Sequence, residues 1–151
     1  MRKAVRQAAT VVAFAAGVVV ALGPSASVLA QGAWEAPAAE KGKKNPLPDD
    51  KATREMGEKV AKTNCVSCHG AKGKGDGSGI AFLAERTSRR PKDLSDKKLQ
   101  AALSDGEIFW KVTNGLKEDA MIVMPAYANE LKKDEDRWAL VHFVRTLAGR
   151  D

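Results

Sequence analysis

Residues 65 to 70 read Cys-Val-Ser-Cys-His-Gly, and they hold both cysteines and one of the two histidines of a 151-residue chain. No other feature restricts the fold as much. Cysteines three positions apart lie on one face of a helical turn, and a histidine directly after the second stands four positions from the first. A disulfide between Cys65 and Cys68 would close so short a loop that it would remove little entropy from the unfolded chain. The convergence of two thiols and an imidazole therefore calls for another purpose.

The chain opens with Arg2, Lys3 and Arg6, an apolar run from Ala8 to Leu22, a helix-breaking Gly23-Pro24 and the small-residue ending Val28-Leu29-Ala30. This is the layout of a cleaved secretory signal over residues 1–30, which implies a periplasmic or otherwise exported protein. The apolar run falls short of the roughly 20 residues that a spanning helix needs, so no membrane span is expected after cleavage. From Gln31 the mature chain is long enough for one domain and short for two. The whole chain carries 25 basic and 19 acidic residues. The signal takes three basic residues and no acid, so processing lowers the net charge from +6 to +3. Such mild basicity does not argue for nucleic acid.

Residues 31–50, rich in Ala, Pro, Lys and acids, show no sustained period and read as a flexible leader before a domain at 51–151. A first helix is expected after Pro48, capped by Asp49 or Asp50, with Met56 and Val60 on one face. Gly70 to Gly79 is a glycine-rich turn without the Lys-Ser/Thr ending of a phosphate-binding loop. A short helix is expected at Ser95 to Leu103. Ser104 and Glu107 have capping-box spacing at the start of another, which Gly115 stops. A loop through "LKEDAMIVMPAYANEL" leads to a last helix, with Asp134, Glu135 and Asp136 at its start, Leu140, Phe143, Val144 and Leu147 at helical spacing, Arg145 in its last turn and Gly149 at its end.

Two thiols at this spacing can add to the vinyl groups of a haem as thioethers while the following imidazole reaches the iron, so Cys65 and Cys68 are the covalent anchors and His69 the proximal ligand of one haem c. A Cys-x-x-Cys redox pair would call for a strand-to-helix context that is absent, and a zinc site would have to recruit His142. The opposite face of the iron decides between electron transfer and chemistry on small molecules. Met124, in a loop before Pro125, is the leading candidate for the distal ligand; Met121 lies three positions earlier in the same loop. His142 falls in an apolar helix and reads as a hydrogen-bonded or outward-facing histidine. A His/Met pair closes both axial positions and raises the reduction potential, which suits one-electron transfer and leaves no place for peroxide or oxygen. An enzyme or gas sensor would need an open iron, and no distal acid–base residue is evident to support a peroxidase.

At this point the chain resembles the small monohaem class I cytochromes c of bacteria, from about Thr53 to Leu147. "GEKVAKTNCVSCHGAKGKGDG", "LSDGEIFWKVTNGL" and "MPAYANELKKDEDRWALVHFVRTL" carry the resemblance. It implies an all-α fold with helices wrapped around one covalently attached haem, and a crossing of the first and last helices in which Gly57 faces Phe143. Where the family often has an aromatic four residues after that glycine, this chain has Ala61, so packing beside the haem falls to Trp110, Trp138 or Tyr127. In many members a proline carbonyl accepts the proximal histidine's ring N–H, and no proline lies between Gly70 and Arg90. The function implied is that of an exported electron carrier, not an enzyme, between redox proteins. Lys62, Lys72, Lys74, Lys117, Lys132 and Lys133 are available to meet acidic docking surfaces. A haem subunit of a larger dehydrogenase or oxidase complex is the alternative.

Overall fold

The computed structural model describes residues 34–149; the expected signal at 1–30, the first three residues of the leader and the last two of the chain lie outside them. Among the described residues the order is α1 (Ala38–Lys41), α2 (Lys51–Asn64), α3 (Val66–His69), α4 (Ile80–Ala84), α5 (Lys97–Ala102), α6 (Asp105–Asn114), β1 (Leu116–Glu118), β2 (Met121–Met124) and α7 (Asp134–Thr146).

Local chemistry places the principal helix starts. The Asp50 carboxylate accepts the Thr53 backbone N–H at 2.8 Å and opens α2. Ser104 accepts from the Glu107 N–H at 3.1 Å and opens α6. Each bond satisfies a donor that the helix itself cannot. The three acids at the start of α7 have no side-chain cap beside them, and they complement the positive end of the helix dipole instead.

The principal helix contact is α2 against α7. Gly57 makes the crossing close: a Cβ there would stand 2.5 Å from the Ala139 carbonyl carbon and 2.9 Å from the Phe143 Cβ. Around this contact lies a core of Ala61, Ile108, Phe109, Val112, Trp138, Leu140, Val141 and Val144. Trp138 stacks on Phe109 with ring centroids 4.1 Å apart, which serves the core and uses the ring that was a candidate for packing beside a cofactor.

Three expectations are corrected. The fold is mostly helical but not all-α, because the segment expected to be a loop forms an antiparallel hairpin in which Leu116 pairs with Met124 and Glu118 with Met121. Its strands are too short to show a clear alternation, and the turn depends on Asp119 at φ 52°, a conformation that aspartate tolerates better than most residues. Helix α4 lies in a stretch where none was expected. The leader, from Trp34 onward, is not a free tail: Ala36 is buried, Asn45 donates to the Trp138 carbonyl at 2.9 Å, and Leu47 packs on the core. These contacts join side chains to distant backbone and leave no periodic trace in the sequence.

Candidate functional site

Helix α2 ends at Asn64, and Cys65, at φ −116°, breaks the chain into the separate single turn α3 that carries Cys68 and His69. A turn this short leaves its carbonyls without helical partners. The glycine-rich loop supplies them in sequence: the N–H groups of Gly79, Gly77, Gly75 and Gly73 donate to the carbonyls of Ser67, Cys68, His69 and Gly70 at 2.7, 3.2, 2.9 and 3.1 Å. The loop can close only because Gly70, Gly73 and Gly75 take positive φ. Leu147, just past α7, then packs on Gly73, where a Cβ would meet its Cδ1 at 2.7 Å. The glycine run thus fixes the shape of the Cys-x-x-Cys-His turn and docks it on the last helix.

Both cysteines are free thiols. Burial, with Cys68 adding to it, pushes the Cys65 thiol up to about 11, so it stays protonated and uncharged at neutral pH. Burial also pushes His69 below the usual histidine range, against a smaller opposing effect from the backbone of Lys92. A neutral imidazole keeps the lone pair that a metal requires. Its Nδ1 is buried and makes no hydrogen bond of ordinary geometry, although the backbone of Lys92, just past Pro91, stands near enough to act on the ring. No proline lies between Gly70 and Arg90, yet Pro91 follows at once and abuts the loop, its carbonyl carbon 3.3 Å from where a Cβ on Gly75 would stand.

Met121 and Met124 both lie on β2, partly buried, and Met124 packs against the core. Three residues on, the Tyr127 hydroxyl donates to the Asn64 carbonyl at 2.7 Å, on the residue just before Cys65. Burial, then the two cysteines, raise the Tyr127 phenol to about 12. The Tyr127 N–H donates to the Val112 carbonyl at 3.0 Å. The methionine-bearing segment is therefore tied to the cysteine turn by a side chain that the sequence offered only as a candidate neighbour of the cofactor. His142 is elsewhere: its Nε2 lies 3.0 Å from the Leu47 carbonyl and its Nδ1 3.4 Å from Asp49. Its ring is thus engaged with residues 47 and 49, and among the described residues no group of three or more His, Cys, Asp or Glu gathers to hold a metal ion.

Sequence reading missed a second polar centre behind the site. Arg145, expected merely to complement a helix end, is buried and donates to Asp105 Oδ1, the Gln100 carbonyl, Gln100 Oε1 and the Leu103 carbonyl at 2.6 to 2.9 Å. It pins α5 and the start of α6 to α7. A basic residue late in an otherwise apolar helix face is the signal that could have pointed to it.

Two free thiols three positions apart, followed by a neutral imidazole with an unsatisfied buried nitrogen, fit a haem attached through thioethers. The comparisons agree. The family model described as cytochrome c matches residues 54–148. The chain belongs to the cytochrome c family, whose members carry covalently bound haem c, and Cys65 and Cys68 are consistent with a Cys-x-x-Cys-His attachment motif. Among solved structures it is similar to a chain of the Kuenenia stuttgartiensis reducing HAO-like protein complex Kustc0457/Kustc0458, at 29% identity and a TM-score of 0.54. The match covers 68% of this chain and 46% of that one, so this chain spans less than half of that relative's length. No curated protein sequence matches it. No helix of the described residues is long and apolar enough to cross a membrane.

Proposed function

We propose that the protein is an exported monohaem electron carrier of class I, with Cys65 and Cys68 holding the haem, His69 as proximal ligand and Met124 as distal ligand. The observation that carries this reading is the Tyr127–Asn64 hydrogen bond, which brings the segment after Met124 onto the helix end that presents the cysteines. When bound, the haem supplies a one-electron couple. The chain's own residues do the rest. Burial keeps His69 neutral and able to ligate, and the glycine loop fixes the turn from which it projects. Met124 would offer a soft thioether to the bound haem, which would favour the ferrous state and raise the potential of the couple. Redox proteins, one donating and one accepting, are the partners of such a carrier.

A second reading, a haem subunit of a larger complex, is favoured by the solved relative being a component of one. Native size in an extract of the source cells separates the two, since a shuttle migrates alone.

The test of the ligand assignment is the absorption spectrum of the haem-loaded protein, oxidised and reduced, with carbon monoxide added to the reduced form. Sharp ferrous bands, a ferric sulfur-to-iron charge-transfer band and no response to carbon monoxide are expected. A high-spin spectrum that shifts with carbon monoxide would mean an open iron and would put the enzyme or sensor reading first.

A further inference from the structure

The segment that precedes α2 does more than cover the core. Trp34 Nε1 donates to the Gly115 carbonyl at 2.9 Å, across 81 positions of sequence. The ring is also held from its face, with Lys111 Nζ 5.0 Å from its centroid, and Lys111 is itself fixed by Glu107 Oε1 at 2.8 Å. Farther along the strap, the Glu40 carbonyl and Lys43 lie so close to Gly106 that a Cβ there would meet the Lys43 Cβ at 3.0 Å. The strap therefore grips α6 at both ends.

Gly115 is the residue through which the chain leaves α6 for the hairpin, at φ 63°. It also lies directly against the far end of that hairpin: a Cβ on it would stand 2.6 Å from the Ala126 nitrogen and 2.6 Å from the Pro125 carbonyl carbon, and it would also strike the Met124 carbonyl. Any movement of Gly115 is thus transmitted to residues 124–126 by contact. On the other side those residues are held by Tyr127, through Val112 and Asn64. Trp34 bonds to the Gly115 side of this bracket from the strap.

We propose that Trp34 is a positioning residue for the Met124 segment, acting through the Gly115 carbonyl; this rests on the reading of Met124 as distal ligand. Its indole N–H satisfies a helix-end carbonyl and fixes the wall on which Met124, Pro125 and Ala126 rest. Without that bond the methionine yields its position more readily to a competing base.

The experiment is a titration of ferric, haem-loaded full-length protein with imidazole, followed through loss of the sulfur-to-iron charge-transfer band. Trp34→Phe keeps a ring beside Lys111 and removes the N–H. Loss of one ordinary hydrogen bond corresponds to about a fivefold tighter apparent affinity for imidazole. Glu35→Gln, which removes the exposed strap ion pair with Lys41 and a smaller attraction to Lys111 while keeping the Trp34 N–H, is expected to leave that affinity unchanged. A Trp34→Phe protein that melts at a lower temperature but binds imidazole like wild type overturns the proposal, because Trp34 then merely fastens the strap. An equal gain in affinity in Glu35→Gln overturns it too, since any loosening would then suffice. A wild-type protein without the band, or a Met124→Ala variant that keeps it, removes the Met124 reading and the proposal with it.

Discussion

Replacing Gly57 with alanine tests the crossing that organises the fold. The carbonyl carbon of Ala139, 2.5 Å from the added Cβ, would have to retreat by about 0.9 Å to reach the 3.4 Å at which ordinary contact begins, and its oxygen, nearer still, by more. Both atoms are backbone, so no rotamer change relieves the clash and α7 must move as a body. That motion loosens Leu140 and Val141, each 1% exposed. Overpacking of this kind costs about 1–3 kcal/mol, and the upper half of the range applies when backbone is the obstacle. The better helix propensity of alanine returns only about 1 kcal/mol. A net loss of about 1.5 kcal/mol corresponds to a fall in melting temperature of about 6 °C for a domain of this size. Thermal melts of the haem-loaded variant and wild type measure it. Adding Phe143→Ala should not rescue the variant, because the nearest obstruction is Ala139. A Gly57→Ala protein as stable as wild type, or rescue by Phe143→Ala, would refute the reasoning.

Arg145→Ala should destabilise the domain by about 3 kcal/mol in urea titration, since it strands the acceptors of Asp105, Gln100 and Leu103. Arg145→Lys should recover little of this, because a compact ammonium cannot reproduce the planar fork; full recovery would contradict that account. The Asp50 carboxyl sits below its ordinary value of 3.8, chiefly because of the Thr53 N–H, so its contribution to stability is present above 3.8 and is lost as the pH falls through the folded value. Asp50→Asn should flatten the pH dependence of stability in that acid window, and an unchanged slope would count against the cap. Cys65→Ala and Cys68→Ala should each weaken retention of haem through denaturing electrophoresis, and the double variant should lose it; full retention in the double variant would contradict thioether attachment.

Legibility followed range. Helices α2, α6 and α7 announce themselves through caps and periodicity, and the positions of Asp50, Ser104 and the acids at 134–136 agree with their starts to within a residue or two. Gly57 against Phe143 was legible through resemblance, and the geometry bears it out. Ile108 and Val112, four positions apart on α6, are both buried. Hidden were the pairings that join side chains to distant backbone: Trp34 to Gly115, Asn45 to Trp138 and Tyr127 to Asn64. Such bonds depend on where two segments meet after folding, and neither segment carries a local signature of the other. The hairpin escaped for a different reason. Strands of three and four residues are shorter than the window in which a period of two can be told from chance.

The ladder of glycine N–H groups over the cysteine turn has a consequence for the order of assembly. Every donor and acceptor in it lies between Ser67 and Gly79, so the turn needs nothing from α7, the hairpin or the strap to acquire its hydrogen bonds. Contacts of such short sequence separation close early, because little chain must be gathered to make them. A chain emerging amino end first would present its two thiols and imidazole in a shaped turn while more than half of the domain was still to follow. The substrate offered to the attachment machinery is then a local motif, and the long-range packing that Gly57 and Arg145 govern can follow once the haem is in place.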